Sequence, residues 1–152
     1  MTTGPCYIDT SVLVAALGNE RHTESAQNWL AAQPPSDLLI SDWVITEFSS
    51  AMALKLRTGQ LQPEHRAECL ALFTQLVERS LTVLTVTSAN FRAAARLADQ
   101  HQTGLRAGDA LHLAICTDHG SRMITFDQTL AAAATNLGIP SARPVAGDEG
   151  QD

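Results

Sequence analysis

A chain of 152 residues, 45% hydrophobic and 17% charged, has the size and composition of one compact domain that buries roughly 68–70% of its unfolded surface, which excludes a disordered or low-complexity protein. No apolar run approaches the roughly 18 residues of a membrane span, and MTTGPCYIDT has neither the basic start nor the apolar core of a signal peptide, so a cytoplasmic location with no membrane partner is expected. The net charge of −6 argues at first sight against a nucleic-acid partner, and the argument turns on where the acids lie.

In chain order, CYIDTSVLVAAL opens with a short β-prone run and passes into an apolar helix stopped by Gly18. Thr23 is placed to cap a helix through TESAQNWLAAQ, which Pro34 and Pro35 end. LLIS (38–41) reads as a buried parallel strand, and in DWVITEFSSAMALKL the spacing of Ile45, Phe48, Met52 and Leu56 predicts a core-facing helix closed by Gly59. Pro63 suits the first turn of PEHRAECLALFTQLVER, and LTVLTV (81–86) returns to strand chemistry. Ser88 is placed to cap ANFRAAARLADQH; beyond Gly104 come the apolar helix GDALHLAICTDH, the strand RMITF (122–126), the helix QTLAAAATNL and a last short piece, SARPV. Strands alternating with helices predict an α/β, three-layer sandwich with a central parallel sheet. Residues 1–146 form a single domain without internal repeat or linker, and the acidic 147–152, GDEGQD, is expected to be disordered.

Cys6, Cys69 and Cys116 are odd in number and widely spaced, so neither a disulfide framework nor a cysteine zinc site is indicated. The five histidines include no H-x-x-x-H pair, and His112 is read as packing or hydrogen-bonding within its helix. Four acids belong at one edge. Asp9 ends the first strand, Glu47 lies early in the helix after LLIS, Asp109 sits in the first turn of its helix, and Asp127 follows RMITF. In an open parallel sheet the ligand crevice lies outside the carboxyl ends of the strands. Taken singly, Asp9, Asp109 and Asp127 are ordinary helix-start acids and Glu47 a solvated one. Together they repel one another, and a fold has little reason to gather them without a cation. Oxygen-only donors favour Mg²⁺ or Mn²⁺, and that points to phosphodiester chemistry. With the tail acids and these four set aside, the rest of the chain is close to neutral, so its scattered cations can still meet a phosphate backbone.

The ordered set YIDTSVL, TEF, RAGDALHLA and ITFD resembles the PIN-domain ribonucleases, and among them the VapC-type toxins of toxin–antitoxin pairs, over roughly residues 6 to 144. The resemblance implies a PIN-like fold and a metal-dependent endoribonuclease in which Asp9, Glu47, Asp109 and Asp127 are the catalytic, metal-binding acids for one or two Mg²⁺ or Mn²⁺ ions. It also implies Thr10, Ser11 and Thr125 as supporting hydroxyls. RNA is then the substrate and a cognate antitoxin protein a partner. A homodimer is expected from similar toxins and from the apolar helices around AMALKL and Trp29. Lys55, Arg57 and Arg106 are candidate phosphate contacts, with helix-end cations and a solvated turn arginine as the plain alternative.

A phosphatase of the haloacid dehalogenase type needs a second Asp two residues after the first, where this chain has Ser11. No G-x-G-x-x-G follows the first strand, which removes a dinucleotide-binding domain. The alternative left standing is a catalytically inactive PIN-like interaction module.

Overall fold

Cys6, Tyr7 and Ile8 are all wholly buried and form β1 (Cys6–Ile8), as expected of a parallel strand covered on both faces. β1 pairs in parallel with β2 (Leu38–Ser41) on one side and β4 (Arg122–Ile124) on the other. The computed structural model describes residues 4–145, so the expected tail 147–152 lies outside the described residues. β3 (Thr82–Leu84) and β5 (Ser141–Ala142) complete a five-stranded parallel sheet in the order β3-β2-β1-β4-β5. Strand order reverses at β1, so the crevice at the carboxyl ends opens there.

Between β1 and β3 run α1 (Thr10–Leu17), α2 (Thr23–Ala32), α3 (Asp42–Arg57) and α4 (Pro63–Ser80); after β3 come α5 (Ser88–Ala98), α6 (Ala107–Asp118) and, after β4, α7 (Gln128–Asn136). Right-handed crossovers put the first four on one face and the last three on the other, which makes the three-layer α/β sandwich. On the first face, Phe48 of α3 and Phe73 of α4 stack with ring centroids 4.1 Å apart. On the second, α6 is buried continuously from Ala110 to Cys116, as expected of a helix that is apolar all round.

Several boundaries differ from the sequence expectation. The N-cap before α5 is Thr87, not Ser88: Thr87 accepts from the Asn90 backbone N–H, and the Asn90 side chain accepts from the Thr87 N–H. This reciprocal arrangement is worth about 1 kcal/mol and needs a polar residue three positions on, where Ser88 would have Phe91. Thr23 is the first residue of α2, not its cap. Its hydroxyl donates to the Ala15 carbonyl at 2.7 Å and so ties α2 to α1. Of LTVLTV only Thr82–Leu84 pair as strand, β3 being an edge, and of RMITF only the first three residues, Arg122–Ile124. In α3, Phe48 and Met52 are buried as predicted, Val44 joins them, and Ile45 and Leu56 are only partly covered. Among the described residues no helix is long and apolar enough to cross a membrane.

Candidate active site

Asp9 follows β1 directly and occupies the N-cap position of α1, yet its side chain makes no capping bond. Instead Oδ2 accepts from the Ser11 and Thr125 hydroxyls, each at 2.7 Å. The carboxyl is only 6% exposed. Hydrogen bonds to a charged group contribute about 1.5–3 kcal/mol each, against a burial penalty of several kcal/mol, so two of them offset much of the cost of holding the acid here. The two hydroxyls are themselves fixed by backbone, Ser11 Oγ accepting from Phe126 N–H at 3.1 Å and Thr125 Oγ1 from Asp127 N–H at 2.9 Å. Thus β1, α1 and the β4–α7 loop are tied together through one carboxylate oxygen.

Glu47, in the second turn of α3, is held in the same manner: Oε1 accepts from Thr10 Oγ1 at 2.7 Å and contacts His112 Nε2. His112 is not engaged within its own helix, as the sequence suggested, but crosses to β1 and α3. Its Nδ1 lies 2.7 Å from the Tyr7 hydroxyl, which lies 2.8 Å from Ser41 Oγ, and its Nε2 is 3.6 Å from Asp9 Oδ1. His112 is thus the middle of a chain of polar contacts from Ser41 through Tyr7 and His112 to Glu47, with Nε2 facing the carboxylate. Burial pushes the Glu47 carboxyl up, but the His112 hydrogen bond, the attraction of His112 and the Thr10 hydroxyl together outweigh it and hold it below the usual range. Burial raises the Tyr7 hydroxyl above its ordinary value, so it remains a donor.

Asp109 is the third residue of α6 and accepts no hydrogen bond from the described residues. Its pKa is pushed from 3.8 to about 6, first by burial and then by the charges of Asp127, Asp9 and Glu47, with His112 acting the other way. Asp127 behaves as a helix start acid as well: Oδ1 accepts from Thr129 N–H at 2.9 Å and Leu130 N–H at 3.1 Å, capping α7. One of its oxygens is therefore committed to structure, and its charge is felt at Asp109. No lysine or arginine pairs with any of the four acids among the described residues. Gly108 lets α6 begin against this cluster, since a Cβ there would stand 3.3 Å from Glu47 Oε2 and 3.5 Å from the Trp43 ring.

Of the three cations singled out, Arg106 is exposed at the N-cap of α6, three residues from Asp109. Lys55 and Arg57 lie in the last turn of α3, about 12 to 15 Å of helix beyond Glu47. Lys55 there is close enough to act on Cys69 of α4. Sequence reasoning missed the part played by His112 and Tyr7. The one available signal was that His112 lies three positions after Asp109, on the same helix face.

The donor set suits a hard divalent cation. Ligand atoms of Asp9, Glu47 and His112 lie within 4.8 Å of one another. Asp9 Oδ1 and Glu47 Oε2 are left without a hydroxyl partner, and Asp109 adds a carboxylate raised by like charges that an ion would relieve. Oxygen donors from carboxylates fit Mg²⁺ or Mn²⁺. His112, whose Nε2 is engaged with Glu47, is better used to orient that ligand than as a ligand itself.

The family model described as PIN domain matches residues 6–136. The chain is 33% identical over 129 residues to Ribonuclease VapC23 of Mycobacterium tuberculosis, covering 84% of this chain and 96% of that one. Among solved structures it is similar to DNA-bound VapBC from Salmonella typhimurium, with a TM-score of 0.69 at 15% identity over 93% of this chain and 99% of that one. It is also similar to the Mycobacterium tuberculosis Sarcin-Ricin loop cleaving toxin VapC20, with a TM-score of 0.67 at 20% identity over 84% and 94%. At those identities the structural likeness speaks for the fold alone.

Proposed function

The chain belongs to the PIN-domain family, among the VapC-type ribonucleases, and from that premise we propose that it is a metal-dependent endoribonuclease and the toxin of a type II toxin–antitoxin pair. The observation that carries this reading is the meeting of Asp9 and Glu47, whose ligand atoms lie within 4.8 Å, at a place where the charges of Asp109 and Asp127 also act on one another, with no lysine or arginine among the described residues paired to any of them. Asp9, Glu47 and Asp109 would hold Mg²⁺ or Mn²⁺, with Asp127 adding charge and its remaining oxygen. An ion bound there supplies Lewis acidity toward an attacking water and toward the oxygen that departs from the phosphodiester. The protein supplies fixed ligands: Ser11 and Thr125 hold one oxygen of Asp9, and Thr10 and His112 hold one oxygen of Glu47. Arg106, exposed at the start of α6, is placed to meet a backbone phosphate.

Cleavage of single-stranded RNA is expected with millimolar Mg²⁺ or Mn²⁺ and is expected to stop on addition of EDTA. Activity surviving exhaustive chelation would remove the metal from the mechanism. A chain that cleaves no RNA with either ion is the inactive interaction module instead.

Two partners follow from the same reading. An antitoxin neutralises the toxin by bringing a basic side chain among the uncompensated carboxylates. A second copy of the chain covers the large apolar side chains left at the surface. Leu54, Leu72 and Phe91 are each about half exposed or more, whereas Trp29 is largely packed on the core and offers less surface than its sequence suggested. Sedimentation of the isolated chain at micromolar concentration is expected to give a dimer; a monomer at that concentration contradicts it.

A further inference from the structure

Beside the acid cluster three residues from distant parts of the chain meet. The His22 ring stacks on Phe126, with centroids 4.6 Å apart and planes 12° from parallel. The Arg143 guanidinium lies over the Phe126 ring at 5.9 Å from its centroid. His22 stands at the N-cap of α2 but makes no capping bond, so its ring is not spent on the helix. Both rings are partly exposed and Arg143 is exposed, with no carboxylate partner among the described residues. In a chain with 16 acids and 10 Lys and Arg, an arginine left on an aromatic face and not drawn to an acid is available to an anion. The group is also fastened to the reaction centre: Phe126 N–H donates to Ser11 Oγ, and Ser11 donates to Asp9 Oδ2.

We propose that His22, Phe126 and Arg143 form a seat for the RNA strand on the Asp127 side of the acids, one nucleobase stacking on the aromatic pair and one phosphate meeting the Arg143 guanidinium. The inference rests on the ribonuclease reading and adds to it the contacts that hold the strand. Those contacts answer a need of the site, because a cluster of carboxylates repels a polyanion and the strand has to be held by groups beside it. Stacking serves this purpose without reading sequence, since every base has a π-face.

The test uses the full chain carrying Asp109→Asn, which removes one of the repelling charges and is expected to bind without cutting, and a fluorescein-labelled single-stranded RNA together with an abasic strand of the same length. Phe126→Leu keeps apolar bulk where Phe126 packs on the core but removes the π-face. It is expected to weaken RNA at least about fivefold and to leave the abasic strand unchanged. His22→Ala is expected to act in the same direction, and Phe126→Trp to restore binding. Arg143→Gln is expected to weaken both strands and to lower the slope of log affinity against log salt by about 0.7, the loss of one phosphate contact. RNA affinity within twofold of the parent for Phe126→Leu, His22→Ala and Arg143→Gln alike overturns the seat. Cleavage by the unsubstituted chain with Mg²⁺ is run alongside: cleavage with unaffected variants rejects the seat alone, and no cleavage and no RNA binding rejects the ribonuclease reading with it.

Discussion

Asp109→Asn abolishes RNA cleavage, by a hundredfold or more on the order of what loss of a metal ligand or one essential electrostatic contact brings, and yet in EDTA at neutral pH its melting temperature equals or exceeds that of the parent. The second half follows from the raised pKa of about 6 against an ordinary 3.8. A carboxyl that is harder to ionise folded than unfolded costs nothing well below pH 3.8, where both states hold the proton. It weakens the metal-free fold progressively as pH rises through 6, where both have lost it. Asn removes that loss, so the parent and the variant converge in acid and separate toward neutrality. Millimolar Mg²⁺ reverses the order. At a hundredfold excess over its dissociation constant, an ion that binds only the folded state adds about 2.7 kcal/mol, or roughly 5–11 °C for a domain of this size. The variant gains little of this, and in the parent the gain shrinks as pH falls below about 6 and protons compete for Asp109. If the acid serves only the helix dipole, the expectation inverts: Asn lowers stability by about 0.3–1 kcal/mol with or without metal. Thermal melts of both proteins from pH 4.5 to 7.5, in EDTA and in Mg²⁺, separate the two.

What was legible in the sequence was set by local chemistry. LLIS is bounded by turn residues and buried on both faces, and its four residues are β2 to the residue. Pro63 and Gly59 mark their helix boundaries because each does so through its own backbone. Where neighbours compete, local reading loses precision, as between Thr87 and Ser88, which differ only in what stands three residues later. Asp9, Asp109 and Asp127 look alike as helix-start acids, and only their partners distinguish them. Asp127 accepts two backbone N–H groups, Asp9 takes two hydroxyls from its own helix start and from the loop after β4, and Asp109 takes none among the described residues. The contacts that escaped are those made across the sheet: Tyr7 and His112 are 105 positions apart, and His22, Phe126 and Arg143 come from three separate connections. A histidine inside an apolar helix carries no mark of which strand it will meet.

The buried chain from Ser41 to Glu47 is therefore the place where fold and chemistry are joined most tightly, and His112 is its hinge. His112→Ala leaves the Tyr7 hydroxyl with only Ser41 and one oxygen of Glu47 with only Thr10, and opens a hole at a side chain that is 1% exposed. A buried hydrogen bond contributes about 0.5–1.5 kcal/mol, more to a charged group, and a large-to-small core change costs about 2–5 kcal/mol, so a loss on the order of 10 °C in melting temperature is expected. Stability alone does not distinguish a positioning residue from a packing one; metal affinity does. With His112 gone, burial acts on Glu47 with only Thr10 to oppose it, its carboxyl rises, and its orientation is no longer fixed. Loss of a group that orients a ligand typically lowers metal affinity 10- to 100-fold. His112→Gln retains an N–H donor and is expected to recover much of that affinity, even if the melting temperature stays low. Tyr7→Phe, which removes only the donor to Nδ1, is expected to fall between the two. Mn²⁺ binding followed by titration calorimetry in the three variants decides the matter. Unchanged affinity in His112→Ala, whatever its melting temperature, reduces the histidine to a piece of the core.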